Sequence, residues 1–333
     1  MEIQMKKIAI VGCGSRGLYH LENLMKMDDV EVVAFCDLIS ERAEDLASHA
    51  GEGAVFTDFS RMCDEAGPDA VFICTPPYCH GEIELEAIRR GIHIFVEPPL
   101  ALDLNTAEKI REETAARGVI TSVGFEERYC AFTYEAAKFI AEQDVITIDC
   151  MDIGGVGEKF WMRDIELSGG RITESTIRHL DTLRFIFGEP DEVFAYSARG
   201  FVGGIVNYDT DDAVSAVVRF KNGTLATVTA GSYAGSYAAS ESRITLRSAK
   251  MTATLHLGKG FETIGKYVSE DAEESVPDEC DCAADCDRAF IDAIIENDPS
   301  RVRSDYADGV KTLAFADAIR RSVNERRAVK VKI

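Results

Sequence analysis

Six residues near the N-terminus, Gly12-Cys13-Gly14-Ser15-Arg16-Gly17, have the types and spacing that hold a phosphate. They follow the apolar run Ile8-Ala9-Ile10-Val11 and open a helical pattern at Leu18. In a strand–turn–helix of this kind Gly12 permits the tight turn. Gly14 lets the backbone approach a pyrophosphate, and Gly17 lets helix and strand pack closely. The first amides of a helix have no intrahelical acceptor and point at an anion. An acidic residue, Asp37, ends the next apolar run, and its interval from Gly17 matches the roughly 20 residues expected of a dinucleotide site. A carboxylate there accepts hydrogen bonds from the adenosine ribose hydroxyls and repels a 2′-phosphate. The pattern therefore predicts a nicotinamide dinucleotide, NAD in preference to NADP.

Such a turn needs a parallel sheet behind it. Apolar runs at 7–11, 31–37, 54–56, 70–75, 93–97 and 119–124 read as strands buried on both faces. Helical patterns at 18–25, 40–49, 81–90 and 105–117 separate them, the last with Asp103 or Asn105 able to cap its start. This alternation predicts an α/β, doubly wound Rossmann sheet over residues 1–124. After a helix at 134–141 the pattern changes to longer strands at 145–153, 193–198, 213–220, 225–231, 243–247 and 251–257. Lys221-Asn222-Gly223-Thr224 predicts a hairpin with a type I′ turn. Residues 125–333 thus read as an α+β domain with a large, mostly antiparallel open sheet. One long helix, 173–187, is inserted, two helices at 284–296 and 306–324 close the chain, and 269–287 reads as an acidic loop.

The 333 residues carry 36 basic and 58 acidic side chains, a formal charge of −22. That field repels nucleic acid, and the one basic grouping, Arg320 to Lys332, suits a helix C-terminus. No stretch reaches the roughly 20 apolar residues of a membrane span, and residues 1–10 run into a strand without the parts of a signal peptide. The expectation is a cytoplasmic protein. Of its ten cysteines, Cys13, Cys36 and Cys74 lie at strand ends as small buried thiols, while Cys280, Cys282 and Cys286 read as reduced thiols in an exposed loop. Their spacing fits no common zinc pattern, so no metal is expected.

With these motifs the chain resembles the Gfo/Idh/MocA family, named for glucose–fructose oxidoreductase and inositol dehydrogenase. Thr75-Pro76-Pro77-Tyr78-Cys79-His80 resembles the loop that packs on the cofactor, and Glu97-Pro98-Pro99-Leu100 the family's Glu-Lys-Pro loop. Gly124-Phe125-Glu126-Glu127-Arg128-Tyr129 resembles the segment leading into the second domain. Trp161-Met162-Arg163-Asp164, Ser168-Gly169-Gly170 and Phe187-Gly188-Glu189-Pro190 resemble the surroundings of the substrate helix. The resemblance implies hydride transfer between nicotinamide and a hydroxyl-bearing carbon of a sugar, cyclitol or sugar acid. It also implies that the antiparallel sheet joins copies into a homodimer or homotetramer, and that Thr75, Pro76, Pro77, His80, Glu97 and Pro98 join Gly12 to Gly17 and Asp37 around the cofactor.

The sequence departs from the family where the proton is handled. Pro98 stands at the lysine position, and Arg178, with His179 beside it, at the histidine position. Proline does not titrate, and arginine stays protonated. A positioned base contributes 10²–10⁴-fold, so a dehydrogenase here needs another one. Glu174, Arg178 and Asp181 at i, i+4 and i+7 share one helical face, while His179 is turned by ~100° from Arg178. Tyr129 and Lys159 are further candidates. Arg178 could bind a carboxylated substrate or close an ion network with Glu174 and Asp181. Two other functions remain open: an NAD-dependent lyase or glycoside-cleaving enzyme without net redox change, and an inactive dinucleotide-binding protein.

Overall fold

The computed structural model describes residues 5–236, 239–257, 264–268, 273–277 and 281–332, the two short segments 264–268 and 273–277 by backbone alone. The chain divides into two compact units, one of residues 1–125 and 283–310, the other of 126–282 and 311–333.

The first unit holds a six-stranded parallel sheet: β1 (Lys6–Val11), β2 (Val30–Cys36), β3 (Ala54–Phe56), β4 (Ala70–Ile73), β5 (His93–Val96) and β6 (Thr121–Val123). Its order, β3-β2-β1-β4-β5-β6, is that of the dinucleotide-binding doubly wound fold. The helices between strands are α1 (Ser15–Leu24), α2 (Ser40–Ala50), α3 (Phe59–Ala66), α4 (Glu82–Arg89) and α5 (Leu104–Arg117). Asp103 caps α5, accepting the Thr106 amide at 2.9 Å. The sequence reading omits α3.

The single boundary expected at 124/125 is corrected by the return of residues 283–310 to this unit. The physical reason is burial. Phe290 meets the stacked rings of Phe72 and Phe95 edge-on, the stacked pair lying 4.6 Å apart. Asp287 is buried against His20, and Tyr306 is fully buried with its hydroxyl donating to the Leu100 carbonyl.

The second unit begins with a short turn, Glu126–Tyr129, and α6 (Ala131–Glu142). Its strands are β7 (Thr147–Ile153), β8 (Pro190–Ala198), β9 (Ala213–Phe220), β10 (Leu225–Gly231), β11 (Glu241–Arg247), β12 (Thr252–His256), β13 (Ile264–Val268), β14 (Glu273–Pro277) and β15 (Val329–Lys330). They form one nine-stranded sheet, antiparallel except where β10 runs parallel to β7. Alternation decides its faces: Val214, Ala216, Val218 and Phe220 of β9 are buried, and the residues between them face out. The buried face packs on α6, on α9 (Ile177–Phe187) and on the C-terminal part of α11 (Tyr306–Glu325), around Leu180, Leu183, Phe315 and Ile319.

Four expectations are corrected here. The expected helix 173–187 is two, α8 (Gly170–Glu174) and α9, preceded by the short α7 (Ile165–Ser168). The Arg171 carbonyl accepts from both Ser175 and Thr176 at 2.9 Å, which widens the turn and breaks the helical ladder. The expected acidic loop 269–287 contains β14 and the start of α10 (Cys282–Glu296). The β9–β10 hairpin is present, but only Gly223 has a positive φ, +93°, so the turn is not type I′. Finally, Cys282 and Cys286 lie on α10 rather than in a loop, Cys286 is buried, and Cys282 is disulfide-bonded to Cys130 with a Cα–Cα distance of 5.1 Å. Cys280 lies outside the described residues.

Candidate dinucleotide site and a polar cluster on the second unit

Between β1 and α1 the glycines are fixed by space. Gly12 has φ +87°, and a Cβ there would lie 2.7 Å from the Cys74 carbonyl carbon of the adjacent β4 end. A Cβ on Gly17 would lie 2.4 Å from the Gly12 oxygen, so helix and turn could not close. A Cβ on Gly14 would meet nothing within 4 Å: space stays open where the helix amides of Ser15, Arg16 and Gly17 begin. Asp37 turns back toward this turn. Its Oδ2 accepts the Cys13 amide at 2.8 Å and its Oδ1 the Ile39 amide at 2.9 Å, which orients the carboxylate beside the open space. The Thr75 hydroxyl at the end of β4 is buried and has no hydrogen-bond partner. An open glycine turn, helix amides, an oriented carboxylate and an orphaned hydroxyl together fit a dinucleotide.

Other expected cofactor residues play supporting parts. The His80 ring is 1% exposed and bonds Glu84 Oε1 through Nδ1 at 2.6 Å, while Glu84 Oε2 accepts the Gly81 amide at 2.7 Å. His80 therefore braces the loop that follows Pro76 and Pro77 through Nδ1, while its Nε2 is buried without a partner. Glu97 is likewise turned inward. It accepts Arg16 Nε at 2.6 Å and Arg16 Nη2 at 3.0 Å, and pairs with His20 Nε2 at 3.2 Å. Arg16 thus holds a neighbouring loop, and Pro98 is buried beside it. Burial alone would raise the Glu97 carboxyl, but Arg16 and His20 bring it well below the usual carboxylate range. Burial alone would lower His20, but Asp287, at 2.9 Å, and Glu97 raise it to about 9. Gly124 makes room for this cluster, because a Cβ there would lie 2.5 Å from Glu97 Oε1.

On the second unit a polar cluster gathers around α8 and α9. Asp152 at the end of β7 accepts Arg171 Nη2 at 2.6 Å and the Thr176 hydroxyl at 2.6 Å. Register places Ser242 of β11 opposite Asp152, and the Ser242 hydroxyl is hydrogen-bonded to His179 Nε2 at 2.9 Å. His179 Nδ1 is buried with no partner, and burial lowers the pKa of its imidazole. Glu174 is raised by burial, an effect opposed by Arg178 and Arg171. Glu127 Oε2 is buried without a partner, and burial and Glu126 raise that carboxyl, against the pull of Arg178.

The expected face of Glu174, Arg178 and Asp181 is corrected by the helix break. Asp181 instead binds Arg128 through two bonds, Nε to Oδ2 at 2.7 Å and Nη2 to Oδ1 at 2.6 Å, and accepts the Thr312 hydroxyl at 2.7 Å. Both partners are buried, so Asp181 positions the turn Glu126–Tyr129 and is spent as a base. Tyr129 is itself 8% exposed. Asp152, Arg171 and Ser242 were absent from the sequence reading. They meet only through strand register and tertiary packing, which leaves no local signal.

Residues 6–125 match the family model for an oxidoreductase family with an NAD-binding Rossmann fold, and residues 146–253 match the Gfo/Idh/MocA C-terminal domain. The chain belongs to the Gfo/Idh/MocA family of oxidoreductases. It is 26% identical over 343 residues to a myo-inositol 2-dehydrogenase of Thermotoga maritima, covering 98% of each chain. It is 30% identical over 213 residues to a scyllo-inositol 2-dehydrogenase (NAD(+)) of Bacillus subtilis, covering 60% of this chain and 58% of that one. A levoglucosan dehydrogenase solved with NADH and levoglucosan superposes with a TM-score of 0.85 at 20% identity, covering 99% of this chain and all of that one. The chain is a dehydrogenase-type oxidoreductase that uses a nicotinamide dinucleotide.

Proposed function

We propose that the protein is an NAD-dependent dehydrogenase of a cyclitol, sugar or sugar acid, in which His179 takes the place of the absent lysine–histidine pair. The observation that carries the cofactor choice is Asp37, whose carboxylate is oriented by the Cys13 and Ile39 amides toward the glycine turn. The inositol dehydrogenases among its relatives support the substrate class.

When bound, the dinucleotide supplies the hydride acceptor. Gly12, Gly14 and the first amides of α1 bind its phosphates, and Asp37 accepts its adenosine ribose hydroxyls. His179 holds the substrate hydroxyl and takes its proton at Nδ1. That nitrogen is unpartnered, and the lowered pKa keeps it unprotonated at neutral pH. Arg178 gives a carboxylated substrate a planar cation to bind. Glu174, four residues before Arg178 in the chain, and Tyr129, next to the Arg128 that holds Asp181, have supporting parts. Outward-facing Tyr196, Val217 and Leu225 support a homo-oligomer through the nine-stranded sheet, and light scattering that returned a monomer mass would contradict that part.

The test is NADH formation over a panel of inositols, hexoses and uronates. His179→Asn should lower kcat by 10²–10⁴-fold and leave NAD affinity unchanged. Because a base works only when deprotonated, wild-type activity should fall with acid below the ordinary histidine pKa, and the variant should lose that limb. Tight NAD retention with no NADH formed on any member would overturn the dehydrogenase reading in favour of a lyase or a binding protein.

A further inference from the structure

We propose that Cys130 and Cys282 form a reversible redox switch, closed by a peroxide and opened by a dithiol, that fixes the turn carrying Arg128. The inference does not depend on the substrate or on the proton acceptor.

Four features single out this pair. The two Cα atoms lie 5.1 Å apart, within the range a disulfide spans without backbone movement. Cys282, at the first turn of α10, is half-buried, so a small oxidant reaches it. Cys130 is 3% exposed at the start of α6, directly after the turn that carries Arg128. The other described cysteines form no disulfide, and several are held as inert thiols: burial pushes Cys13 and Cys36 up to about 12 and Cys63 to about 11.

The chemistry balances in two steps. The Cys282 thiolate attacks hydrogen peroxide, giving a sulfenic acid and hydroxide. The Cys130 thiolate then attacks that sulfur, the S–S bond forms, and the sulfenic oxygen leaves as hydroxide, which protonates to water. Two thiols lose two electrons and the peroxide gains them. A dithiol reverses the step by exchange and leaves as its own disulfide.

The position gives the bond a consequence. Cys130 directly follows the turn Glu126–Tyr129: its amide donates to the Glu127 carbonyl at 3.2 Å and its Sγ lies 3.7 Å from the Glu126 carbonyl. Arg128 in that turn grips Asp181 of α9. A cross-link spanning 152 residues therefore ties this turn to the start of α10 and restrains the unfolded chain between them.

The test uses the full chain purified under reducing conditions and then treated with hydrogen peroxide. Peptide mapping without reductant should show the Cys130 and Cys282 peptides joined with the loss of two hydrogens. The Tm should rise by several degrees, and hydrogen exchange across 126–139 should slow. Dithiothreitol should reverse all three. Cys130→Ser, or Cys130→Ala if the serine variant does not fold, should abolish the response, while Cys286→Ser keeps it. A link from Cys282 to Cys280 or Cys286, no link in folded wild-type protein, or a link that leaves exchange and Tm unchanged would overturn the proposal.

Discussion

Arg16 holds Glu97 through two hydrogen bonds, Nε to Oε2 at 2.6 Å and Nη2 to Oε1 at 3.0 Å. The pair joins the helix that follows the glycine turn to the loop after β5. Arg16 is a third exposed, whereas Glu97 is buried and also faces His20. The two ends should therefore respond unequally to mutation. Glu97→Gln takes from the buried His20 one of its two carboxylate partners and from Arg16 the carboxylate it holds, and should cost about 3 kcal/mol. Arg16→Ala should cost about 1 kcal/mol, since solvent screens its end. Urea denaturation of both variants checks the ratio, and equal losses would contradict it.

His20 makes stability depend on pH. Its imidazole titrates at 6.5 when unfolded and at about 9 in the fold. A group raised on folding stabilises fully below its unfolded pKa, and that contribution fades as pH rises through its folded pKa. The Tm should thus decline between pH 6.5 and about 9. His20→Gln should be less stable than wild type at pH 6, and the gap should narrow by pH 9. A gap that widened with pH would contradict the charge assignment.

Arg128 and Asp181 form a buried ion pair with exposures of 5% and 1%. Asp181→Asn takes the carboxylate from this buried guanidinium and should cost about 3–5 kcal/mol in a denaturant titration. The loss should appear without any change in NAD affinity. An asparagine variant as stable as wild type would show that the pair does not organise the turn.

What the sequence revealed, and what it hid, follows from how far apart the interacting residues are. The glycine turn and Asp37 were legible because β1, the turn and β2 are consecutive and their glycines answer local steric demands. Both sheets were legible too, through unbroken apolar runs in one and alternation in the other. The break between α8 and α9 was not legible: residues 173–187 keep helical spacing, and the interruption comes from Arg171 and from Asp152 on a distant strand. Nor could spacing show that Asp181 serves Arg128, 53 residues earlier, or that Phe290 completes a core begun at Phe72. The sequence alone suggested Pro98 and Arg178 at the positions where the family carries lysine and histidine, whereas the Asp152–Arg171–Thr176 bonds and the Ser242–His179 bond beside them needed the β7–β11 register.

The central claim is that Asp37 and the glycine turn select NAD, and calorimetric titration of the folded protein with NAD and with NADP tests it most directly. NAD should bind at least tenfold more tightly than NADP. Asp37→Ala should weaken NAD by about 10–100-fold, the worth of charge-assisted hydrogen bonds at 1.5–3 kcal/mol, and should narrow the preference. No heat and no thermal shift with either dinucleotide, or an Asp37→Ala variant that binds NAD as tightly as wild type, would contradict the account.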